Sequence, residues 1–144
     1  MSFTLNPYFI FDGNSREAIH FYEKVLGGQV MGIMTFGEMP ADPNQPLPEE
    51  MKDRVMHAHL KVGATDLMFS DTYPGMPHQQ GDWIQIAIHP TEEAEAREIF
   101  AALEDGGEVV MPLTKMDWSP CYGIVKDKFG VTFQVNVAAE QPQS

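Results

Sequence analysis

Two stretches of this chain, EAIHFYEKVLGGQVM (17–31) and EAREIFAALEDGGEVVM (95–111), read as two copies of one plan. Each opens on Glu-Ala, carries an apolar stripe, closes on Gly-Gly and restarts with Val-Met. A repeat of this kind constrains the fold strongly, because both copies must bury the same stripe against the same kind of partner. In the first copy the stripe is Ala18, Ile19, Tyr22, Val25 and Leu26; in the second it is Ala96, Ile99, Phe100 and Leu103. Asn14 suits an N-cap, with Glu17 placed for a capping box, and Thr91 suits the second N-cap ahead of Glu92 and Glu93. The glycine pairs stop both helices, since glycine adopts the left-handed cap conformation at little cost.

Strand-like segments surround both helices in the same order. Residues 5–11, 29–36, Val55–Val62 and 65–70 fall in the first copy; residues 83–88, 108–113, 122–126 and 131–137 fall in the second. The expected class is therefore α+β, two βαβββ units at about 5–71 and 83–137 in one domain of 144 residues. The segment 37–53, with Pro40, Pro43, Pro46 and Pro48, cannot pair as a central strand. It is long for a loop and reads as a lid, an interface element or a tolerated insertion. Residues 72–82, rich in Pro and Gly, read as the link between the units.

Alternation along the strands separates two faces. Met56, Ala58, Leu60 and Val62 form an apolar face opposite Val55, His57, His59 and Lys61; Ile84, Ile86 and Ile88 stand opposite Trp83, Gln85 and Ala87. In 131–137 the valines and Phe133 oppose Thr132, Gln134 and Asn136. The apolar faces suit the helices. The mixed faces carry too few Lys and Glu for a fully solvated surface and suit a small-molecule pocket. His57, His59, Trp83, Gln85 and Gln134 are the candidate ligand contacts, with Trp118 as an aromatic at the pocket mouth. A plainer account is open for each: histidines packed and hydrogen-bonded, Gln134 and Asn136 satisfying one another, Trp83 filling core. Cys121 reads as a small buried residue, for want of a basic neighbour to activate it.

The net charge of −12, from 21 acids and 9 scattered bases, speaks against nucleic acid and anionic membrane as partners. No apolar run approaches the roughly 18–20 residues of a membrane span. The MSFTLNPYF start lacks a leader pattern, and a single cysteine fits a reducing compartment, so a cytoplasmic location is expected.

The stretches LNPYFIFDGNSREAIHFYEKVLGG (5–28), FGEMP (36–40), HAHLKVGATDLMFSD (57–71) and VKDKFGVTFQVNV (125–137) resemble the glyoxalase/bleomycin-resistance (vicinal oxygen chelate) superfamily. Within it they resemble the PhnB-like branch, whose members are often labelled 3-demethylubiquinone methyltransferase-like. The resemblance implies a half-open, barrel-like sheet around a cavity, commonly within a homodimer. It also implies metal positions which, carried over here, are Pro7, Met68, Trp83 and Gln134. Proline and tryptophan offer no ligand, and a thioether and a neutral amide suit hard ions poorly. No metal and no cofactor are expected at those positions.

The expected function is therefore metal-free binding of a small molecule, with His57 as the candidate acid–base or orienting group because imidazole titrates near neutral pH. One alternative is a metal-dependent lyase, transferase or oxygenase with a displaced site using His57 and His59, where Asp71 or Asp117 would supply a further ligand. Another is a non-catalytic interaction protein with a packed barrel. The turn at Phe11-Asp12-Gly13-Asn14 has one glycine, so nothing supports a Rossmann-type methyl-donor site.

Overall fold

The computed structural model describes residues 3–39, 43–44, 46–73 and 76–138, in two compact units that divide between Gln79 and Gln80. The first unit runs β1 (Tyr8–Phe11), α1 (Ser15–Leu26), β2 (Gln29–Thr35), β3 (Val55–Val62) and β4 (Thr65–Asp71). The second runs β5 (Ile86–Ile88), α2 (Glu93–Glu104), β6 (Glu108–Met116), β7 (Ser119–Lys126) and β8 (Thr132–Val137). Each forms a four-stranded sheet of the same topology, β1-β4-β3-β2 and β5-β8-β7-β6. In each, the first strand pairs in parallel with the last, and the remaining pairs are antiparallel. The repeat in the sequence is thus a repeat in the fold, two βαβββ units.

The helices cover the apolar faces identified by alternation. Ala58, Leu60 and Phe69 are fully buried with Ala18, Ile19 and Tyr22 of α1. In the second unit Val125, Phe133 and Val135 are buried with Ala96, Phe100 and Leu103 of α2. Cys121 is buried too, and burial pushes its thiol up despite the pull of the Arg97 guanidinium.

Both helix starts differ from expectation. Asn14 occupies the N-cap position of α1 but makes no side-chain cap bond, and α2 is capped at Glu92 rather than Thr91, again without a side-chain bond. The carboxylate of Asp71, at the end of β4, replaces Asn14 as the acceptor. Its Oδ1 takes the N–H groups of Gly13 (3.1 Å) and Ser15 (3.0 Å), and its Oδ2 takes that of Val55 (2.8 Å).

Strand ends differ as well. Ladder pairing starts at Tyr8, just after a proline that has no N–H to give, although the Pro7 carbonyl accepts from Met68. In the second unit β5 starts at Ile86, so Trp83 and Gln85 lie ahead of the strand and Ile84, expected in the core, is exposed. The segment around Trp118 and Cys121, left between the expected strands 108–113 and 122–126, is the tip and return of a β6–β7 hairpin. Of the proline-rich stretch, Pro40 and its neighbours 41, 42 and 45 lie outside the described residues. Its base is closed where Phe36 and Gly37 donate to the carbonyls of Arg54 and Lys52.

The glycine pairs do two jobs. Gly27 (φ +67) and Gly106 (φ +76) take the left-handed conformation that turns the chain out of each helix. The second glycine of each pair lies against a strand carbonyl, Gly28 on that of Lys61 and Gly107 on that of Lys126. A Cβ on Gly107 would also press on the Asp127 backbone and the Leu103 carbonyl, neither of which is a movable side-chain end. Gly107→Ala should therefore cost about 2–3 kcal/mol, the upper range of overpacking, and Gly28→Ala about 1 kcal/mol. Urea unfolding of the two variants checks the order.

Candidate functional site

In each sheet the face turned away from its helix carries the polar and aromatic side chains. Across the second sheet, register places Gln134 beside Ala87 and Ile124, and Asn136 beside Tyr122. A directional chain of hydrogen bonds crosses this face. The Tyr122 hydroxyl donates to Gln134 Oε1 (3.0 Å), Gln134 Nε2 donates to Gln85 Oε1 (2.9 Å), and Gln85 Nε2 donates weakly to the Asp82 carbonyl (3.4 Å). Trp118, at the hairpin tip, meets the Tyr122 ring edge-on with centroids 5.6 Å apart. Asn136 Oδ1 is buried on this face and has no hydrogen-bond partner among the described residues. Gln134 and Asn136 thus do not satisfy one another.

The open face of the first sheet holds His57 and His59. His57 Nδ1 lies 2.9 Å from the Tyr8 hydroxyl, with the rings tilted at 43° and their centroids 5.7 Å apart. Partial burial holds the Tyr8 phenol above its usual range. The Ser70 hydroxyl gives its proton to the Asp71 carbonyl (2.9 Å). His59 Nε2 lies 2.7 Å from Asp66 Oδ1, both side chains about one-third exposed. Met68 stands opposite both Tyr8 and His59, and Met34 stands opposite His57.

Gln85, Gln134 and Trp118 therefore come together in the second unit, linked through Tyr122. His57 and His59 share a face in the first unit, where each has a different fixed partner. Trp83 joins neither group: it is 91% exposed, ahead of β5, which removes its role as core filler. Sequence reasoning missed Tyr8, Asp66 and Tyr122. Alternation in YFIF puts Tyr8 and Ile10 on one face, but the hydroxyl reaches His57 from two strands away, and strand order is what reveals that.

Three of the four metal positions implied by the resemblance do not fit a metal. Pro7 and Trp83 bring no donor, and the Gln134 amide is engaged at both ends by Tyr122 and Gln85. The fourth, Met68, brings a thioether, which suits a soft ion and not a hard one. Nor does Asp71 complete a site around His57, because its carboxylate is spent on three main-chain N–H groups. The same Asp71 contacts close the turn at Gly13, where a nucleotide-type cofactor would need free N–H groups.

The chain belongs to the Glyoxalase/Bleomycin resistance protein/Dioxygenase superfamily, whose family model matches residues 4–135. The protein YjdN of Escherichia coli K12 is 31% identical over 96% of this chain and 97% of its own length. Among solved structures, PA1353 from Pseudomonas aeruginosa is 38% identical, with a TM-score of 0.86 over 96% of this chain and all of that one. The PhnB protein from Bacillus cereus, named for a 3-demethylubiquinone-9 3-methyltransferase, is 22% identical; its TM-score is 0.78 over 94% of this chain and all of that one. The fold of a PhnB protein is thus the fold of this chain, in keeping with the resemblance read from residues 5–28 and 125–137. No described helix is long and apolar enough to cross a membrane.

Proposed function

We propose that this chain binds a small, planar, neutral molecule on the open face of its second sheet, using protein groups alone. The observation that carries the reading is Asn136 Oδ1, a buried acceptor with no partner among the described residues, beside a hydrogen-bond chain that runs one way. An unsatisfied buried polar atom costs about 1–3 kcal/mol, and a ligand N–H or O–H would remove that cost. Gln134 and Gln85 each have a further amide hydrogen to offer, so a ligand acceptor can be read alongside its donor. Trp118 and Tyr122 supply aromatic surface. A primary amide, a lactam or a phenol has this combination of groups.

A screen of small aromatic amides, lactams and phenols by protein-observed NMR tests the reading. Shifts should concentrate at Gln85, Trp118, Tyr122, Gln134 and Asn136. Gln134→Leu should weaken the best binder about 10–100-fold, the cost of leaving ligand and protein groups unpaired. A screen without binders, or a binder indifferent to both Gln134→Leu and Asn136→Leu, would remove this reading and favour the interaction-protein alternative. Pairing of two copies is part of the proposal, and light scattering on the eluted protein should read twice the mass of one chain.

A further inference from the structure

The first unit points to a different chemistry, at residues that the ligand proposal above does not use. On the open face of its sheet, His57 and His59 are two residues apart on β3 and so project to the same side, about 6.6 Å apart along the strand. Ladder register sets a methionine directly across from each, Met34 across from His57 and Met68 across from His59. Directly opposed side chains leave the backbone about 5 Å apart at Cβ. Two imidazoles and two thioethers therefore rise from one patch of three adjacent strands. Gly32 is the other neighbour of His59, and a Cβ built there would meet nothing within 4 Å, so the space beside the ring is open. Met34 is 45% exposed.

Each imidazole has one nitrogen held and the other free of partners among the described residues. A carboxylate can only accept, so the Asp66 contact puts the His59 proton on Nε2 and leaves the Nδ1 lone pair available. For His57 the held atom is Nδ1, against Tyr8. The Tyr8 hydroxyl can accept from His57 Nδ1–H, since a phenol oxygen accepts as well as donates. That leaves the lone pair of His57 on Nε2. Metal-bound histidines are held in this way, the second nitrogen donating to a carboxylate or another oxygen that fixes tautomer and ring orientation. Two such histidines fall short of a zinc site, which wants three or four nitrogen, sulfur or carboxylate ligands. Among the described residues, no group of three His, Cys, Asp or Glu could supply them. Thioethers change the preference, because they are soft donors suited to the cuprous ion.

We propose that His57 Nε2, His59 Nδ1, Met34 Sδ and Met68 Sδ form a binding site for a single Cu(I) ion on the open face of the first sheet. Tyr8 and Asp66 act as positioning residues.

The test is an anaerobic titration of the full chain with Cu(I) against the chromophoric chelator bicinchoninate. One equivalent per chain should be withheld from the chelator. Met34→Leu combined with Met68→Leu, a nearly volume-conserving pair at half-exposed positions, should weaken retention at least tenfold. X-ray absorption should lose its sulfur scattering at about 2.3 Å in the same variant. His57→Ala should weaken retention further, and Asp66→Asn by about tenfold, as loss of an outer partner does. Full retention in the double methionine variant would overturn the site. So would no retention by the parent chain. Loss of all retention in Cys121→Ser would assign the copper to the thiol and overturn it too. Each variant is first checked for an unchanged melting temperature without copper; should His57→Ala fail to fold, the methionine pair alone decides.

Discussion

Replacing Asp71 with alanine should lower stability by about 3–5 kcal/mol, enough to leave the first unit largely unfolded at moderate urea. The carboxylate is 2% exposed and accepts three main-chain N–H groups, two at the start of α1 and one at the start of β3. Each bond is charge-assisted, and such bonds contribute about 1.5–3 kcal/mol. The loss is compounded because Gly13, Ser15 and Val55 keep their donors in a region that water reaches poorly. Asp71→Asn retains one acceptor oxygen but not the charge, and should cost about half as much. The reading should be taken by far-UV circular dichroism and amide exchange. Both tryptophans, Trp83 and Trp118, belong to the second unit, so their fluorescence would not report the first.

Asp71 also marks where the sequence could be read and where it could not. The helix boundaries follow from apolar spacing and from Gly-Gly, and the structure places α1 and α2 as that spacing requires. The N-terminal caps do not follow, because the acceptor for α1 comes from a residue 56 positions away on another strand. Asn14 carries the right local chemistry, but a local rule has no access to a partner brought in by β4. An acidic residue in SDT (70–72) looks equally suited to a metal or to a cap, and only the parallel β1–β4 pairing decides between them.

The candidate site divides the same way. Alternation was sufficient to put His57 with His59 and Gln134 with Asn136 on open faces, since period 2 holds wherever a strand is regular. It failed at 83–85, where the strand had not yet begun and Trp83 and Ile84 answer to no pleat. The links between site residues were out of reach for a different reason. Tyr122 to Gln134 and Tyr8 to His57 are contacts across strands, and Met34 stands across the β2–β3 ladder from His57; each depends on a register that one sequence does not specify. The methionines illustrate this best. In isolation Met34 reads as an ordinary strand residue and Met68 as a poor ligand for a hard ion; beside two oriented imidazoles they read as soft ligands.

The second large effect is expected at Phe69. Its ring is fully buried, between Phe9 (centroids 5.2 Å), Tyr22 (6.0 Å) and Phe11 (6.4 Å). Register sets it between Phe9 of β1 and Ala58 of β3, so a small side chain on one flank makes room for the ring and flat aromatics hold the others. Phe69→Ala should cost about 3–5 kcal/mol, the range for removing a buried aromatic. The upper part of that range is expected, because stiff rings on three sides collapse poorly into the space and an alanine across the ladder has nothing to extend into it. Phe69→Leu should recover at least half. Denaturant unfolding followed by circular dichroism gives both values. A loss below about 1 kcal/mol for Phe69→Ala would mean that α1 repacks onto the sheet without its aromatic centre. In that case the open face, where Tyr8 and His57 must keep their 2.9 Å contact, would rest on strand pairing alone.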